Sequence, residues 1–299
     1  MVQVPTSAEL VTVGHQMSFI DYLFVRLRQL GYSGKTNAPF ISSDSLATLA
    51  DYYPFGISGL DVIDTDALEG ARVIFVNSDR LVFLLETYSH LISAKVLISG
   101  NGDQNWEEAP DLPASIVMWF AQNSGIDSPR VQTLPIGIEN LRLGRRGIVR
   151  YYRPHTKARI EDKVFVPPMS DTNPVRAGIV EEALAKPQIF RVNTSYLRSS
   201  EYFRVAKTFR FVLCLEGNGS DTHRVWETLY FGNFPVLLST PWSRSLARLE
   251  LPLLIVDSLS ELTEKLLLDF VSQNKGFDPR MTEQLWLPYW ESMFKQYSA

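Results

Sequence analysis

Residues 213–238 read LCLEGNGSDTHRVWETLYFGNFPVLL: an apolar run, a loop with two glycines, a charged helix start and a second apolar run. Neither apolar run alternates with polar residues, so each predicts a strand buried on both faces, the signature of a parallel sheet under helices. The intervening segment has the spacing of an amphipathic helix. A strand, a glycine loop, a helix and a strand in this order form the unit from which open α/β sheets are built.

The same unit recurs in both directions. Upstream, ARVIFVNSD (71–79), AKVLISGNGD (94–103), ASIVMWFAQNS (114–124) and RVQTLPIGIEN (130–140) each predict a strand ending in a polar turn, and APFISSD (38–44) predicts a shorter one. SFIDYLFVRLRQLGY (18–32), SLATLADYY (45–53) and RLVFLLETYSHLI (80–92) carry helical periodicity. After a stretch rich in arginine the pattern restarts, with strands predicted over 162–170, 210–218, 234–239 and 251–258 and helices over 173–186 and 259–273. Two Rossmann-like halves are therefore expected, joined near 140–160. A chain of 299 residues also exceeds what one core usually serves. The expected divisions are 1–140, 141–281, and an aromatic C-terminal helix, 282–299, that crosses back toward the first half.

Composition narrows the function. With 29 basic against 33 acidic residues and a net charge of −4, the chain lacks the basic footprint of a nucleic-acid partner. Arg142, Arg145, Arg146, Arg150 and Arg153 form one local cluster, read as a solvated linker, with phosphate or lipid binding as the alternative. The single cysteine, Cys214, allows no intrachain disulfide and lies in an apolar run, as a small core residue would. No stretch approaches the roughly 20 apolar residues that span a bilayer, and the first residues lack a signal-peptide pattern. A soluble, cytoplasmic protein without a transmembrane segment is the expectation.

Ligands of open parallel sheets sit beyond the carboxyl ends of the strands. In the second half that rule selects Glu216, Gly217, Asn218, Gly219, Asp221 and Thr222. The glycines are expected to allow positive φ and close backbone approach, and Asp221 to cap the helix. The helix start and Arg224 suit a pyrophosphate. Glu227, one turn beyond Arg224, suits a ribose diol. The same residues would also serve a tight turn followed by a surface i,i+3 pair worth roughly 0.2–0.5 kcal/mol. No P-loop and no G-x-G-x-x-G fingerprint is present. In the first half the rule selects Asp79, Asn101, Asp103 and Asn123, any of which would equally serve its own turn.

FRFVLCLEGNGSDTHRVWETLYFGNFPVLL (209–238) resembles the donor-binding segment of exostosin-like glycosyltransferases, as does LPLLIVDSLSELTEKL (251–266) the region that follows it; the similarity covers roughly residues 205–270. A looser likeness to inverting fucosyltransferases is weakened by Thr-His-Arg and Trp-Glu-Thr where those enzymes carry Thr-Glu-Lys. The resemblance implies a GT-B fold, two facing Rossmann-like domains around a deep cleft. It implies inverting transfer from a nucleotide-sugar, with a UDP-sugar favoured, to a glycan acceptor. LPIGIEN (134–140) would then close the first domain, and SDTNPVR (170–176) would bring Asn173 and Arg176 near the diphosphate. Asp103 is the first candidate for the base, ahead of Asp79 and His15, and His15, Asn101 and Asn123 are candidates for acceptor contacts.

The only Asp-x-Asp triplet near a strand, Asp64-Thr65-Asp66, precedes its strand. Metal-independent transfer without a cofactor is expected, with Arg224 and the loop amides stabilising the leaving group. An inactive nucleotide- or sugar-binding subunit, a fucosyltransferase-like enzyme using a GDP-sugar, and a nucleotide-sugar epimerase are the alternatives.

Overall fold

The computed structural model describes residues 35–54, 63–152 and 160–299; the helix expected over 18–32 lies outside them. The chain forms an α/β structure with two parallel sheets. After helix α1 (Ser43–Ala47) and helix α2 (Thr65–Gly70) come β1 (Val73–Asn77), α3 (Leu81–Tyr88), β2 (Val96–Gly100), β3 (Met118–Ala121) and β4 (Val131–Thr133). The four strands lie in chain order, all parallel. The second sheet uses β5 (Glu161–Val166), β6 (Phe190–Val192), β7 (Phe209–Leu213), β8 (Phe234–Leu238) and β9 (Leu254–Val256), in the order β6-β5-β7-β8-β9. Its helices are α4 (Val175–Leu184), α5 (Ser199–Ala206), α6 (His223–Tyr230), α7 (Pro241–Leu246) and α8 (Glu264–Gln273), followed by α9 (Leu287–Ser298).

Successive side chains of a strand point to opposite faces, and here both faces are apolar. Ile74, Val76, Leu97, Trp119 and Val131 fill a core on one face of the first sheet. Val73, Phe75, Val96, Ile98, Met118 and Phe120 join a different cluster. That second cluster also takes Phe165, Phe209, Val212 and Leu237 from the other sheet. Val164, Val166, Phe211, Leu213, Phe234 and Val236 form a third core on the remaining face. One buried cluster thus runs through both sheets. Helix α9 contributes to it: Phe294 lies 4.7 Å from Phe120, ring to ring, and the Leu287 N–H donates to the Pro39 carbonyl at 2.9 Å.

Three expectations change. APFISSD forms no strand; Phe40 and Ser42 make single antiparallel bridges to Trp286 and Gly137, and Ser42 caps α1 through Ser45. The helix there begins at Ser43 and ends at Ala47, so it is offset from SLATLADYY. The short strand β6 and helices α2, α5 and α7 are elements the sequence reading does not include.

Helix α6 ends as its sequence requires. Gly232 adopts φ +80°, and the N–H groups of Gly232 and Asn233 donate to the carbonyls of Leu229 (2.9 Å) and Thr228 (3.1 Å). This is a Schellman stop, and a residue with a Cβ is strained in it. Gly232, two residues before β8, therefore releases the chain from α6 straight into that strand.

Candidate functional site

In the second sheet the chain leaves β5 toward β6 and returns on the other side through β7. Such a reversal opens a crevice at the carboxyl ends of the two diverging strands. Arg176, in the first turn of α4, joins the loops that follow them. Its Nη1 donates to the Ser170 carbonyl (3.0 Å) and Thr172 Oγ1 (2.8 Å), its Nε to the Glu216 carbonyl (2.8 Å) and its Nη2 to the Leu215 carbonyl (3.1 Å). Burial, reinforced by the neighbouring charge of Arg224, lowers its pKa to about 10. Five neutral acceptors, Ser170 Oγ (3.2 Å) included, hold this charge, and among the described residues no carboxylate pairs with it. Among the described residues, Arg224 has no carboxylate partner either; its Nη2 donates to the Pro168 carbonyl at 3.3 Å, and its Nε is buried without a partner.

Both guanidiniums border a cavity of about 420 Å³. Pro168, Ser170 and Thr172 line it from the loop after β5, and Gly217 through Gly219 and Asp221 through Arg224 from the loop after β7 and the start of α6. The opposite wall brings Asp103, Ile136, Glu139 and Arg146 from the segments around the first sheet. No side chain caps α6, whose N-cap is Thr222 with a buried, unpartnered Oγ1. The helix therefore presents its free N–H end and partial positive charge beside two unneutralised cations.

The glycine loop is fastened across the seam. The Asp221 N–H donates to Asn123 Oδ1 at 2.7 Å, the Ile136 N–H to Asp221 Oδ2 at 2.8 Å, and the Ser220 N–H to Asn105 Oδ1 at 2.8 Å. Asn218 Nδ2 reaches Asp103 Oδ2 at 3.1 Å, and His223 Nδ1 lies 2.8 Å from the Gly137 carbonyl. The carbonyl can only accept, so Nδ1 carries a proton, and in the neutral ring Nε2 is the lone-pair site. Gly137 is itself at φ +68°, where a Cβ would lie 2.1 Å from the Ile41 carbonyl oxygen.

Several expected roles are corrected. Gly217 and Gly219 do not adopt positive φ. Their value is space: a Cβ on Gly219 would stand 2.8 Å from Asn123 Nδ2, and one on Gly217 3.1 Å from Arg176 Nη2. Asp221 is not the cap. Its carboxylate accepts from Ile136 and from the Trp226 indole at 2.9 Å, and burial, outweighing these bonds, raises its pKa to about 7.

Glu227 is wholly buried and is not among the residues that line the cavity. Its Oε2 lies 3.7 Å from Arg146 Nη1, so it serves as that arginine's internal counter-charge, and both its oxygens are buried without a hydrogen-bond partner. Burial would lower the Arg146 pKa, but Glu227, with Tyr202, Glu139 and Tyr152, leaves it raised. The arginine cluster is not a solvated linker: Arg142 pairs with buried Asp44 at 2.8 Å, and Arg145 with Glu139 at 3.0 Å. Arg153 lies outside the described residues.

Of the remaining candidates, Asp103, Asn218 and Thr222 border the cavity. Glu216 and Asn173 border a smaller one beside it, which also touches Arg176. Asn101 is engaged by the side chains of Asp44, Tyr53 and Asn140, and Asn123 by the backbone of Gly102 and Asp221, and neither lines the cavity. Asp79 is exposed, 3.9 Å from Arg80, and outside the cavity. Asp64 caps α2 through the Ala67 N–H at 3.0 Å. His15 lies outside the described residues. Cys214 is buried, its thiol pushed up to about 12, as suits a core residue.

The structure adds His223, Arg146, Glu139 and Tyr202 to the lining. His223 had a legible signal, the first helical position after a glycine loop at a strand end. Arg146 had a weaker one, the arginine cluster with its phosphate-binding alternative, whereas Glu139 and Tyr202 are brought there by tertiary packing alone.

Among the described residues no helix is long and apolar enough to cross a membrane, and no cluster of three or more His, Cys, Asp or Glu residues could hold a metal. No protein-family model matches the chain, and no curated protein resembles it closely enough to count as a match.

Proposed function

We propose that the chain is a glycosyltransferase of GT-B type that binds a nucleoside diphosphate sugar at the β5/β7 crevice and transfers the sugar to a hydroxyl of a glycan acceptor. The observation that carries the reading is the pair Arg176 and Arg224, two cations without carboxylate partners among the described residues, beside the uncapped start of α6. Unneutralised guanidiniums and free backbone N–H groups together suit a diphosphate. Charge develops on that group as the bond to the anomeric carbon breaks, so donors already aimed at it lower the barrier.

In an inverting reaction the acceptor oxygen forms a bond to the anomeric carbon while the bond to the diphosphate oxygen breaks. The hydroxyl proton goes to a base, and the diphosphate leaves with the electron pair. Asp103 and His223 both border the cavity. His223 is the better oriented of the two, since its Nδ1–H is tied to the Gly137 carbonyl. Asp103 is held only through exposed Asn218. The likeness to exostosin-like enzymes favours uridine as the donor base, with guanosine the alternative within the same chemistry.

Calorimetric titration with nucleoside diphosphates, followed by incubation of labelled nucleotide-sugars with and without EDTA, tests the proposal. Micromolar binding that weakens at least tenfold in Arg224→Ala, with sugar released or transferred and EDTA without effect, is expected. Binding without turnover would make the chain a nucleotide- or sugar-binding subunit, and absence of nucleotide binding would overturn the reading.

A further inference from the structure

The smaller cavity, about 150 Å³, opens between the carboxyl ends of β7 and β8 and the start of α4. It is well below the few hundred cubic ångströms of a pocket for a whole drug-sized ligand, and suits a single ring system. Val175, Ile179, Leu215 and Leu238 give it apolar walls, and Arg176 belongs to both cavities. Val175 is 59% exposed, an apolar lip that the described residues leave uncovered.

One carboxylate interrupts these walls. Glu216 follows β7 directly and shares a side-chain hydrogen bond with Thr240. Its Oε1 is shielded from solvent and accepts no hydrogen bond. Burial raises the pKa of this carboxyl, the sign of an oxygen short of donors. An acceptor left without a partner is costly, and native structures ordinarily supply one. A flat ring with apolar faces and N–H donors on one edge would match these walls and this carboxylate.

We propose that this cavity holds the base of the nucleotide and that Glu216 selects guanine. The inference rests on the nucleotide-sugar reading above and narrows its donor to guanosine diphosphate sugars. Guanine carries N1–H and the N2 amino group on one edge, two adjacent donors that a carboxylate accepts together. Uracil offers one N–H between two carbonyls, whose oxygens meet a carboxylate repulsively. Cytosine and adenine each set a single amino group beside a ring acceptor. A base in this cavity places its phosphates next to Arg176, and through it next to Arg224 and the start of α6. Where a buried acceptor has been built for a donor edge, a ligand without that edge is strongly rejected, because the acceptor then stays unpaired.

The experiment titrates GDP, UDP, CDP, ADP and inorganic pyrophosphate into the wild-type chain and into Glu216→Gln, with the melting temperature of each ligand-free protein as a folding check. Expected is at least tenfold tighter binding of GDP than of the other three nucleotides. In Glu216→Gln that preference should shrink to within about threefold, while pyrophosphate binds both proteins alike. UDP bound as tightly as GDP, or a GDP preference that survives in Glu216→Gln, would overturn the assignment of the base while leaving the diphosphate site in place. If neither pyrophosphate nor any nucleotide binds, the nucleotide-sugar reading falls and this inference with it. Should Glu216→Gln melt much lower, Val175→Arg at the exposed lip gives the second arm. It should remove the GDP preference and keep pyrophosphate binding, and an unchanged preference counts against the cavity.

Discussion

Asn123 Oδ1 accepts the backbone N–H of Asp221 at 2.7 Å, across 98 positions of sequence. Asn123 sits just beyond β3 with φ +57°, a left-handed conformation that asparagine tolerates better than most residues. Its Nδ2 donates to the Gly102 carbonyl at 3.1 Å. One side chain thus ties the ends of β2 and β3 to the glycine loop after β7. Asn123→Ala is expected to lower stability by about 1–3 kcal/mol, since it leaves a buried N–H without an acceptor and strains the backbone. Asn123→Gly keeps the conformation and loses only the clamp, so urea denaturation should rank it between wild type and Asn123→Ala.

The two glycines of the loop should respond differently to a methyl group. In Gly219→Ala the new Cβ meets the Asn123 amide at 2.8 to 3.0 Å on three atoms, and that amide is already committed on both sides. In Gly217→Ala the nearest atom is Arg176 Nη2 at 3.1 Å, followed by Thr172 Oγ1 at 3.6 Å. Gly219→Ala should cost about 1–3 kcal/mol through overpacking, and Gly217→Ala less. Equal melting temperatures for the two variants would contradict this account of the loop.

Asp221 makes stability depend on pH. Its folded pKa, about 7, lies above the ordinary value of 3.8. Between those values the folded protein holds a proton that the unfolded chain has lost. The contribution is complete below about pH 4 and is lost as pH rises toward 7, with a slope of at most about 1.4 kcal/mol per pH unit. Asp221→Asn removes the titrating group, so the difference in melting temperature between the two proteins should change across that window. A constant difference from pH 4 to 8 would show that this carboxyl does not titrate there.

Glu227 tests the internal ion pair. Arg146→Met leaves a fully buried carboxylate with no cation, and a loss of roughly 3 kcal/mol is expected for a pair broken on one side. Adding Glu227→Gln removes the stranded charge and should recover part of that loss. A double-mutant cycle without coupling would separate the two residues energetically.

The base is approached by comparing His223→Asn with Asp103→Asn. If His223 takes the acceptor proton, His223→Asn lowers kcat by about 10²–10⁴ with little change in nucleotide affinity, and Asp103→Asn has the smaller effect. The opposite order returns the role to Asp103. Both variants should bind nucleoside diphosphates like wild type, which separates loss of chemistry from loss of the site.

Strand and helix content was legible because burial on both faces leaves its mark on the chain itself. Continuous apolar runs such as 73–76 and 96–98, each followed by a polar turn, mark strands of a covered parallel sheet. Gly232 likewise signals the end of α6 in its own residue type. The β6-β5-β7 order is not written in any local pattern, because it depends on which strands pair across long separations.

The loop 216–224 was legible as a site, since a glycine loop at a strand end followed by a helix start is a local arrangement. What each residue does there was not. Glu227 and Arg224 share a helix face by spacing, yet packing sends Glu227 inward to Arg146 and Arg224 to the cavity. Gly219 reads as a position of positive φ or close backbone approach to a ligand, and proves to be clearance for Asn123, 96 positions away. Local periodicity determined the elements and the loop. Only the tertiary structure decided which charges are neutralised, because neutralisation depends on distances between residues that sequence does not bring together.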